Sequence, residues 1–163
     1  MSKLIIQKRK IALLLLAVIT LSVAACKVQL VSAYDDAIHT QIVTASKDID
    51  TFYTQMLATT TQGSTARQYS NYAASYATIE VELRQLQTIN NTRAKNTQQT
   101  GICKAALDQW IQYEDTHKTE GMLNDVEIKI NRGIMLGQMQ AMEVSERVKT
   151  LGESKTNTAT TNP

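Results

Sequence analysis

The chain has 163 residues, with 17 basic against 15 acidic side chains and a formal charge of +2. This length suits one domain and excludes two ordinary catalytic domains, and the weak charge excludes the basic surface of a typical nucleic-acid binder. Four of the basic side chains, Lys3, Lys8, Arg9 and Lys10, precede Cys26, so the chain from Cys26 onward has thirteen basic and fifteen acidic side chains.

The N-terminus has the three parts of a secretory signal peptide. A basic segment at residues 1–10 precedes an apolar run at residues 11–23, and two small residues follow. A helix over the apolar run would be only ~20 Å long at ~1.5 Å per residue, whereas the hydrocarbon core of a membrane is ~30 Å thick. We therefore expect residues 1–25 to be a cleaved signal peptide rather than a retained transmembrane anchor.

The sequence Val23-Ala24-Ala25-Cys26 ends this segment. It resembles the lipobox of bacterial lipoproteins, in which an aliphatic residue and two small residues precede a cysteine. The resemblance implies that Cys26 carries a diacylglyceryl group, that the signal is cut after Ala25, and that the new amino terminus is acylated. Two or three acyl chains anchor a protein stably in a membrane, whereas one chain binds only marginally. The resemblance covers about residues 3–27 and implies nothing about the remaining chain.

The residue after the lipobox cysteine, Lys27, indicates where such a lipoprotein would reside. In Gram-negative lipoproteins an aspartate at that position commonly means retention in the inner membrane. For a Gram-negative source, Lys27 therefore favours the outer membrane, with the acyl chains in its inner leaflet and the domain in the periplasm. Residues 26–31 would form the lipidated tether.

If Cys26 is lipidated, Cys103 is the only thiol of the mature chain, and no internal disulfide can form. We expect Cys103 to be a small buried residue and the fold to depend on its apolar core. The 138 residues from Cys26 to the C-terminus can bury roughly two thirds of their unfolded surface, which is enough for such a core.

Four further segments have apolar residues at alternating spacings of three and four, which is typical of amphipathic helices and not of strands. The segments cover about residues 32–58, 66–91, 100–120 and 125–151. The residues expected to face the core are Ile38, Ile42, Ala45, Ile49, Phe52 and Met56, then Tyr69, Tyr72, Tyr76, Ile79, Leu83 and Leu86, then Cys103, Ala106, Trp110, Tyr113 and His117, and finally Ile130, Ile134, Gly137, Ala141, Val144, Val148 and Leu151, the last row widened by Met135, Met139 and Met142.

Capping signals set the expected ends of these helices. Ser32 with Asp35, and Asn124 with Glu127, have the spacing of a capping box at a helix start. Gly121 stands where a glycine cap is expected after the third helix. Gly133 and Gly137, with Ala141 beyond them, make a ridge of small residues that predicts close packing against a bulky neighbouring helix.

The fold predicted from these segments is an all-α, antiparallel up-down-up-down four-helix bundle over residues 32–151. Residues 152–163 are expected to be a disordered polar tail. The polar segment at residues 90–100 leaves one alternative open, in which the second and third helices are continuous and the resulting hairpin pairs with a second chain.

Two carboxylate–histidine pairs, Asp36 with His39 and Glu114 with His117, have the three-residue spacing used by di-iron bundles. In an up-down-up-down bundle the two histidines would be about 15–20 Å apart along the bundle axis. We therefore expect no metal site, with His39 solvated and His117 at the edge of the core. The sequence contains no haem-attachment motif, phosphate-binding loop or zinc ligand set, so we expect no cofactor and no catalytic residues.

Tyr69, Tyr72 and Tyr76 follow one face of the second segment, and Trp110 lies on the third. Tyrosine and tryptophan are enriched in interfaces because they combine an apolar body with a polar tip. These four residues could therefore line a groove for a partner or a slot for a ligand, while ordinary core packing is the competing interpretation.

Together these patterns predict a lipid-anchored, periplasm-facing helical bundle that acts as an interaction or structural module without catalysis. Its expected partners are the membrane, through the acyl chains on Cys26, and an envelope protein, with self-association left open and no nucleic acid. The alternative function is a periplasmic ligand-binding bundle with an aromatic-lined pocket. A roomy pocket between the second and third helices would favour that alternative, and a filled core would argue against it.

Overall fold

A computed structural model gives the structure of residues 31–59 and 61–158. This part of the chain forms four α-helices and two short 3-10 turns. The helices are α1 (Asp36–Thr59), α2 (Ala73–Thr92), α3 (Thr97–Glu120) and α4 (Asp125–Thr158), and the turns are Thr65–Arg67 and Tyr69–Asn71. The predicted signal peptide, its cleavage residue Ala25 and the lipidation site Cys26 lie outside the described residues.

The four helices form an all-α, antiparallel up-down-up-down bundle, as the sequence predicts. α1 and α3 each pack against both α2 and α4. The helices α1 and α4 run in opposite directions, since Asp35 contacts Glu146 near one end and Asp50 contacts Arg132 near the other. We call the end with the start of α1 and the α2–α3 turn the base, and the end with residues 61–72 and 121–124 the far end.

The turn between α2 and α3 shows that these helices are separate, so the alternative of one continuous helix is wrong. Residues 93–96 make the turn, and Lys95 has a φ of +58°, a left-handed conformation that a non-glycine residue seldom adopts. The buried Asn96 side chain holds the turn, because its Nδ2 donates to Oδ1 of Asn90 at 2.7 Å and to the Asn90 carbonyl oxygen at 3.2 Å.

The predicted buried faces of the first three helices are largely confirmed. All six of the apolar residues predicted for α1 are buried, and so are Tyr76, Ile79, Leu83 and Leu86 on α2. On α3, Cys103, Ala106, Trp110 and His117 are buried and Tyr113 is half-buried. Tyr69 and Tyr72 are half-buried and precede α2 rather than lying within it.

The predicted buried face of α4 is wrong. The residues expected to face the core are all exposed, namely Ile130, Ile134, Gly137, Ala141, Val144, Val148 and Leu151. The face that packs on the other helices consists instead of Ile128, Asn131, Met135, Met139, Met142, Glu146 and Lys149. Both rows have helical spacing, and the charged members of the second row hide its role in any ranking by hydrophobicity. Methionines suit this face because their unbranched side chains fill irregular gaps.

The glycines of α4 do not pack against a neighbouring helix, which corrects the second prediction made for this element. A Cβ atom added at Gly133 or Gly137 would meet no other atom within 4 Å. Both glycines belong to the outward side of α4, because the inward side is the methionine face.

Local signals predicted the ends of α3 and α4 well, and both predictions are confirmed. Gly121 has a φ of +79° and caps α3, with its amide donating to the His117 carbonyl oxygen. Asn124 and Glu127 form a capping box at the start of α4. Oδ1 of Asn124 accepts from the Glu127 amide at 3.0 Å, and Oε2 of Glu127 accepts from the Asn124 amide at 2.8 Å.

Three boundaries differ from the prediction. Asp35 rather than Ser32 caps α1, because its Oδ1 accepts from the amides of Ala37 and Ile38. α2 begins at Ala73 and not near residue 66, since Gln68 is extended and forms an isolated antiparallel bridge with Met122. α4 continues to Thr158 through part of the predicted tail, because a single helical glycine costs only ~1 kcal/mol and no proline follows before residue 163.

Candidate functional site

Six of the eight aromatic residues gather inside the far half of the bundle, and we call this group the aromatic cluster. Its members are Phe52, Tyr53, Tyr69, Tyr72, Tyr76 and Trp110. Phe52 lies at the centre, with its ring centroid 4.7 Å from that of Tyr76 and 5.3 Å from that of Trp110. These tilted, edge-on contacts are the geometry that aromatic rings prefer.

The predicted ligand or partner face therefore divides into two parts. Tyr76 and Trp110 are 0% exposed, and Nε1 of Trp110 donates to the Tyr76 carbonyl oxygen at 3.1 Å. Only Tyr69 and Tyr72 reach the surface, and both are half-buried. Five surface grooves of the described bundle are lined by other residues. The aromatic side chains thus fill the core where the alternative function needs a pocket.

His117 is buried beside the aromatic cluster and is fully engaged. Its Nε2 lies 2.8 Å from the Arg67 carbonyl oxygen, which can only accept, so Nε2 carries the proton. Its Nδ1 is then free to accept from the Tyr76 hydroxyl at 3.3 Å. Burial lowers the pKa of His117 below 6.5, although the hydrogen bond to Arg67 acts in the opposite direction. The imidazole is therefore a neutral structural link between α3, α2 and the loop before α2.

The loop before α2 is fixed at the far end by polar contacts that the sequence pattern did not predict. The Arg67 side chain is only 2% exposed, and its Nη1 donates to Oδ1 of Asp125 at 2.5 Å. The Tyr69 hydroxyl donates to Oε1 of Glu114 at 2.7 Å. These bonds tie the loop to α3 and to the start of α4.

The base contains a second buried polar group, which we call the base cluster, centred on Glu146. Both carboxylate oxygens of Glu146 accept from the guanidinium of Arg93 at 3.0 Å, and Oε2 also accepts from Nζ of Lys149 at 2.5 Å. The amide of Asp35 donates to Oε1 at 2.9 Å. Burial raises the pKa of Glu146, but the bonds from Arg93 and Lys149 outweigh it and leave that pKa below its usual value.

The base cluster also holds the segment that precedes α1. Oδ1 of Asn96 accepts from the Ser32 hydroxyl at 2.8 Å and from Nζ of Lys149 at 2.9 Å. The Ser32 amide donates to the Lys95 carbonyl oxygen at 3.2 Å, and Arg93 donates to the carbonyl oxygen of Ala33. The sequence offered one signal for this cluster: Glu146 and Lys149 continue the three-and-four spacing of the methionine row.

Cys103 is 1% exposed, so the expectation of a small buried residue is confirmed. Its Sγ lies 3.5 Å from Nδ2 of Asn90 and 3.5 Å from Sδ of Met142. Burial raises the pKa of the Cys103 thiol to about 11. A protonated, enclosed thiol reacts poorly with oxidants or with a second thiol.

The exposed row on α4 is a continuous apolar surface, which we call the α4 stripe. It comprises Ile130, Ile134, Gly137, Ala141, Val144, Val148 and Leu151. The exposed fractions of its bulky side chains run from 43% at Ile134 to 63% at Leu151. A groove of about 460 Å³ lies along its α3 side, where Gln98 and Ile102 form the other wall.

Among the described residues, no three His, Cys, Asp or Glu side chains lie close enough together to hold a metal ion. His39 lies 3.6 Å from Glu143 of α4, far from the surroundings of His117. In the same part of the chain, no helix has both the length and the apolar character needed to cross a membrane.

Comparison with protein-family models finds no matching family, and comparisons with curated proteins and with solved structures find no match either.

Proposed function

We propose that this chain is a bacterial lipoprotein, in which acyl chains on Cys26 hold a helical bundle at the cell envelope. The bundle acts as an interaction or structural module and not as an enzyme. The observation that carries the proposal is the order of a basic segment, a short apolar run and the lipobox-like Val23-Ala24-Ala25-Cys26. Lys27 favours the outer membrane of a Gram-negative cell, with the bundle in the periplasm.

The base of the bundle supports this proposal because it begins soon after the lipidation site. Ser32 is already bonded to Lys95 and Asn96 of the α2–α3 turn. The five residues from 27 to 31 can span at most ~17 Å at ~3.4 Å each. A lipidated Cys26 would therefore keep the base near the leaflet and raise the local concentration of the bundle toward envelope partners.

The buried ionisable groups support a structural role over a catalytic one. Glu146 and His117 are both 0% exposed, and their polar atoms are bonded to other parts of the same chain. A general acid or base must reach its substrate within hydrogen-bonding distance. Neither group has that access in the folded bundle.

Fatty-acid labelling in bacterial cells tests the lipid anchor. Cells fed a labelled fatty acid are expected to incorporate the label into the full chain and to lose that incorporation in Cys26→Ala, because the thiol that receives the lipid is gone. Cys103→Ala is the matched control and keeps the label, since it removes the other cysteine. A label that persists in Cys26→Ala, or that never enters the unaltered chain, contradicts the proposal.

Separation of the inner and outer membranes of the same cells tests the compartment. The unaltered chain is expected in the outer-membrane fraction, and Lys27→Asp is expected to move most of it to the inner-membrane fraction. An inner-membrane position for the unaltered chain would contradict the outer-membrane part of the proposal while leaving the lipid anchor intact.

A further inference from the structure

The α4 stripe is an apolar surface that no other element of the described bundle covers. Five of its seven members are bulky aliphatic residues, each at least 43% exposed. Single exposed apolar side chains are ordinary on a soluble protein, but a contiguous apolar patch marks a site of interaction. The core of the bundle is complete without the stripe, because the methionine face of α4 packs against the other three helices.

The spacing of the stripe matches that of paired helices. From Ile130 to Leu151 its members are spaced 4, 3, 4, 3, 4 and 3, which is the heptad repeat of a coiled coil. In that notation the a positions are Ile134, Ala141 and Val148, and the d positions are Ile130, Gly137, Val144 and Leu151. β-branched residues at a positions favour two parallel strands, so the repeat favours a second helix as the occupant.

Charge favours an identical helix. When two copies of a helix pair in parallel, each residue lies beside its own counterpart, so a charged residue at the seam would meet a like charge. Residues 133–142 contain no charged side chain. The middle of the stripe also offers room, because no atom lies within 4 Å of a Cβ placed at Gly133 or Gly137. Two copies can therefore approach closely at the centre without repulsion.

The area of the stripe indicates how strong such pairing would be. A row of 22 residues on a helix is ~32 Å long, and a width of ~10 Å gives a footprint of roughly 300 Å² per copy, to which the α3 wall adds. Stable dimers usually bury ~800 Å² per partner. The stripe therefore suits a reversible dimer that forms where the local concentration is high, as it is for two chains in one leaflet.

We propose that the α4 stripe is a dimer interface, on which a second copy of this chain packs with its own α4 parallel and in register. Gly137 and Ala141 of one copy lie against the same residues of the other. The parallel direction places both bases on one side, so two short tethers reach the same leaflet. The contact surface itself does not depend on lipidation, whereas the sharing of one leaflet rests on the proposed function.

Disulfide trapping in cells that express the full chain tests the interface. Ile134→Cys places one thiol on the stripe, and oxidation with copper phenanthroline is expected to join two copies into a dimer on a non-reducing gel. Val81→Cys is the matched control, because Val81 is 64% exposed on α2, away from the stripe. We expect at least tenfold more dimer for Ile134→Cys than for Val81→Cys.

A second substitution tests whether the trapped dimer uses the stripe. Val144→Glu added to Ile134→Cys places like charges at the seam and is expected to reduce trapping at least tenfold, whereas Val81→Glu added to Ile134→Cys leaves it unchanged. Val144 is 53% exposed, so Val144→Glu should retain the helical circular dichroism of the parent. Trapping that survives Val144→Glu in a folded chain overturns the proposal.

Three other outcomes also overturn it. Equal trapping of Ile134→Cys and Val81→Cys indicates random collision. Preferential trapping between Ile134→Cys and Val144→Cys chains indicates an antiparallel pair. Attachment of Ile134→Cys to a different protein, with no dimer, indicates another occupant. Fractionation of the same cells separates the two proposals: a trapped dimer in the soluble fraction supports the interface and contradicts the anchor, and a membrane-bound chain without trapping does the reverse.

Discussion

Glu146 illustrates how a charged side chain can be accommodated in the interior of this bundle. Its carboxylate is 0% exposed, and removal from water would be costly without compensation. Arg93 and Lys149 supply opposite charge, and the Asp35 amide supplies a further donor. The group is therefore stable only as a set whose members come from α4, the α2–α3 turn and the segment before α1.

Glu146→Ala is expected to destabilise the protein by about 3–5 kcal/mol, because it leaves two buried cations without their carboxylate. The measurement is the free energy of unfolding from urea titration. Glu143→Ala is the matched control on the same helix: Glu143 is 36% exposed and pairs with Arg147 only at 3.5 Å. Its loss should cost less than ~1 kcal/mol. Equal effects of the two variants would show that the base cluster contributes no more than a surface pair.

His117 should make stability depend on pH. Burial lowers its folded-state pKa, so between that pKa and the ordinary value of about 6.5 the unfolded chain binds a proton that the folded chain does not. Stability is therefore complete above pH 6.5 and falls as the pH drops through this window, by up to ~1.4 kcal/mol per pH unit. Urea titrations at pH 7.5 and 5.5 measure the difference.

His117→Gln is expected to abolish most of this dependence, because glutamine can still donate to the Arg67 carbonyl oxygen but does not titrate. His39→Gln, which removes the other histidine of the chain, should leave the dependence in place. A dependence that is unchanged in His117→Gln would mean that other groups cause it.

Among the helices, α4 is the element whose sequence admits two different buried faces. One is the β-branched stripe, and the other is the row of Met135, Met139 and Met142 that continues into Glu146 and Lys149. On hydrophobicity alone the stripe is the better candidate, which is why the prediction chose it. The bundle buries the methionine row because Arg93 and Asn96, which lie on other elements, bind its charged end.

The two faces of α4 make opposite predictions for mutation. Met139→Ala is expected to cost about 2–5 kcal/mol, since Met139 is 1% exposed and its loss leaves a cavity. Val144→Ala is expected to change the free energy of unfolding by less than ~0.5 kcal/mol, since Val144 is 53% exposed. Urea titration at low protein concentration measures both effects in the monomer. The reverse order would mean that the stripe faces the core.

In the molecule as a whole, the base is the place where the proposed anchor and the folded bundle meet. The segment at residues 32–35 is bonded to Arg93, Asn96 and Glu146. A pull on the tether would therefore act on the base cluster and not on a single frayed helix end. The far end, with the aromatic cluster and Arg67 beneath its loops, is stabilised separately.

The sequence by itself determined the proposed lipid anchor, the helical fold class and several helix ends. Each of these depends on neighbouring residues: the lipobox-like tetrapeptide, the three-and-four spacing, Gly121 at a positive φ, and Asn124 with Glu127. Such local signals can be recognised without knowing what the other helices present.

Only the tertiary structure decided which side of α4 is buried, that Tyr76 and Trp110 belong to a filled core, and that the base contains Glu146 with its cations. These outcomes depend on partners distant in the sequence, such as Arg93 for Glu146 and Phe52 for Trp110. A charged or aromatic side chain is buried when another element satisfies it, and spacing along a single helix carries no record of that partner.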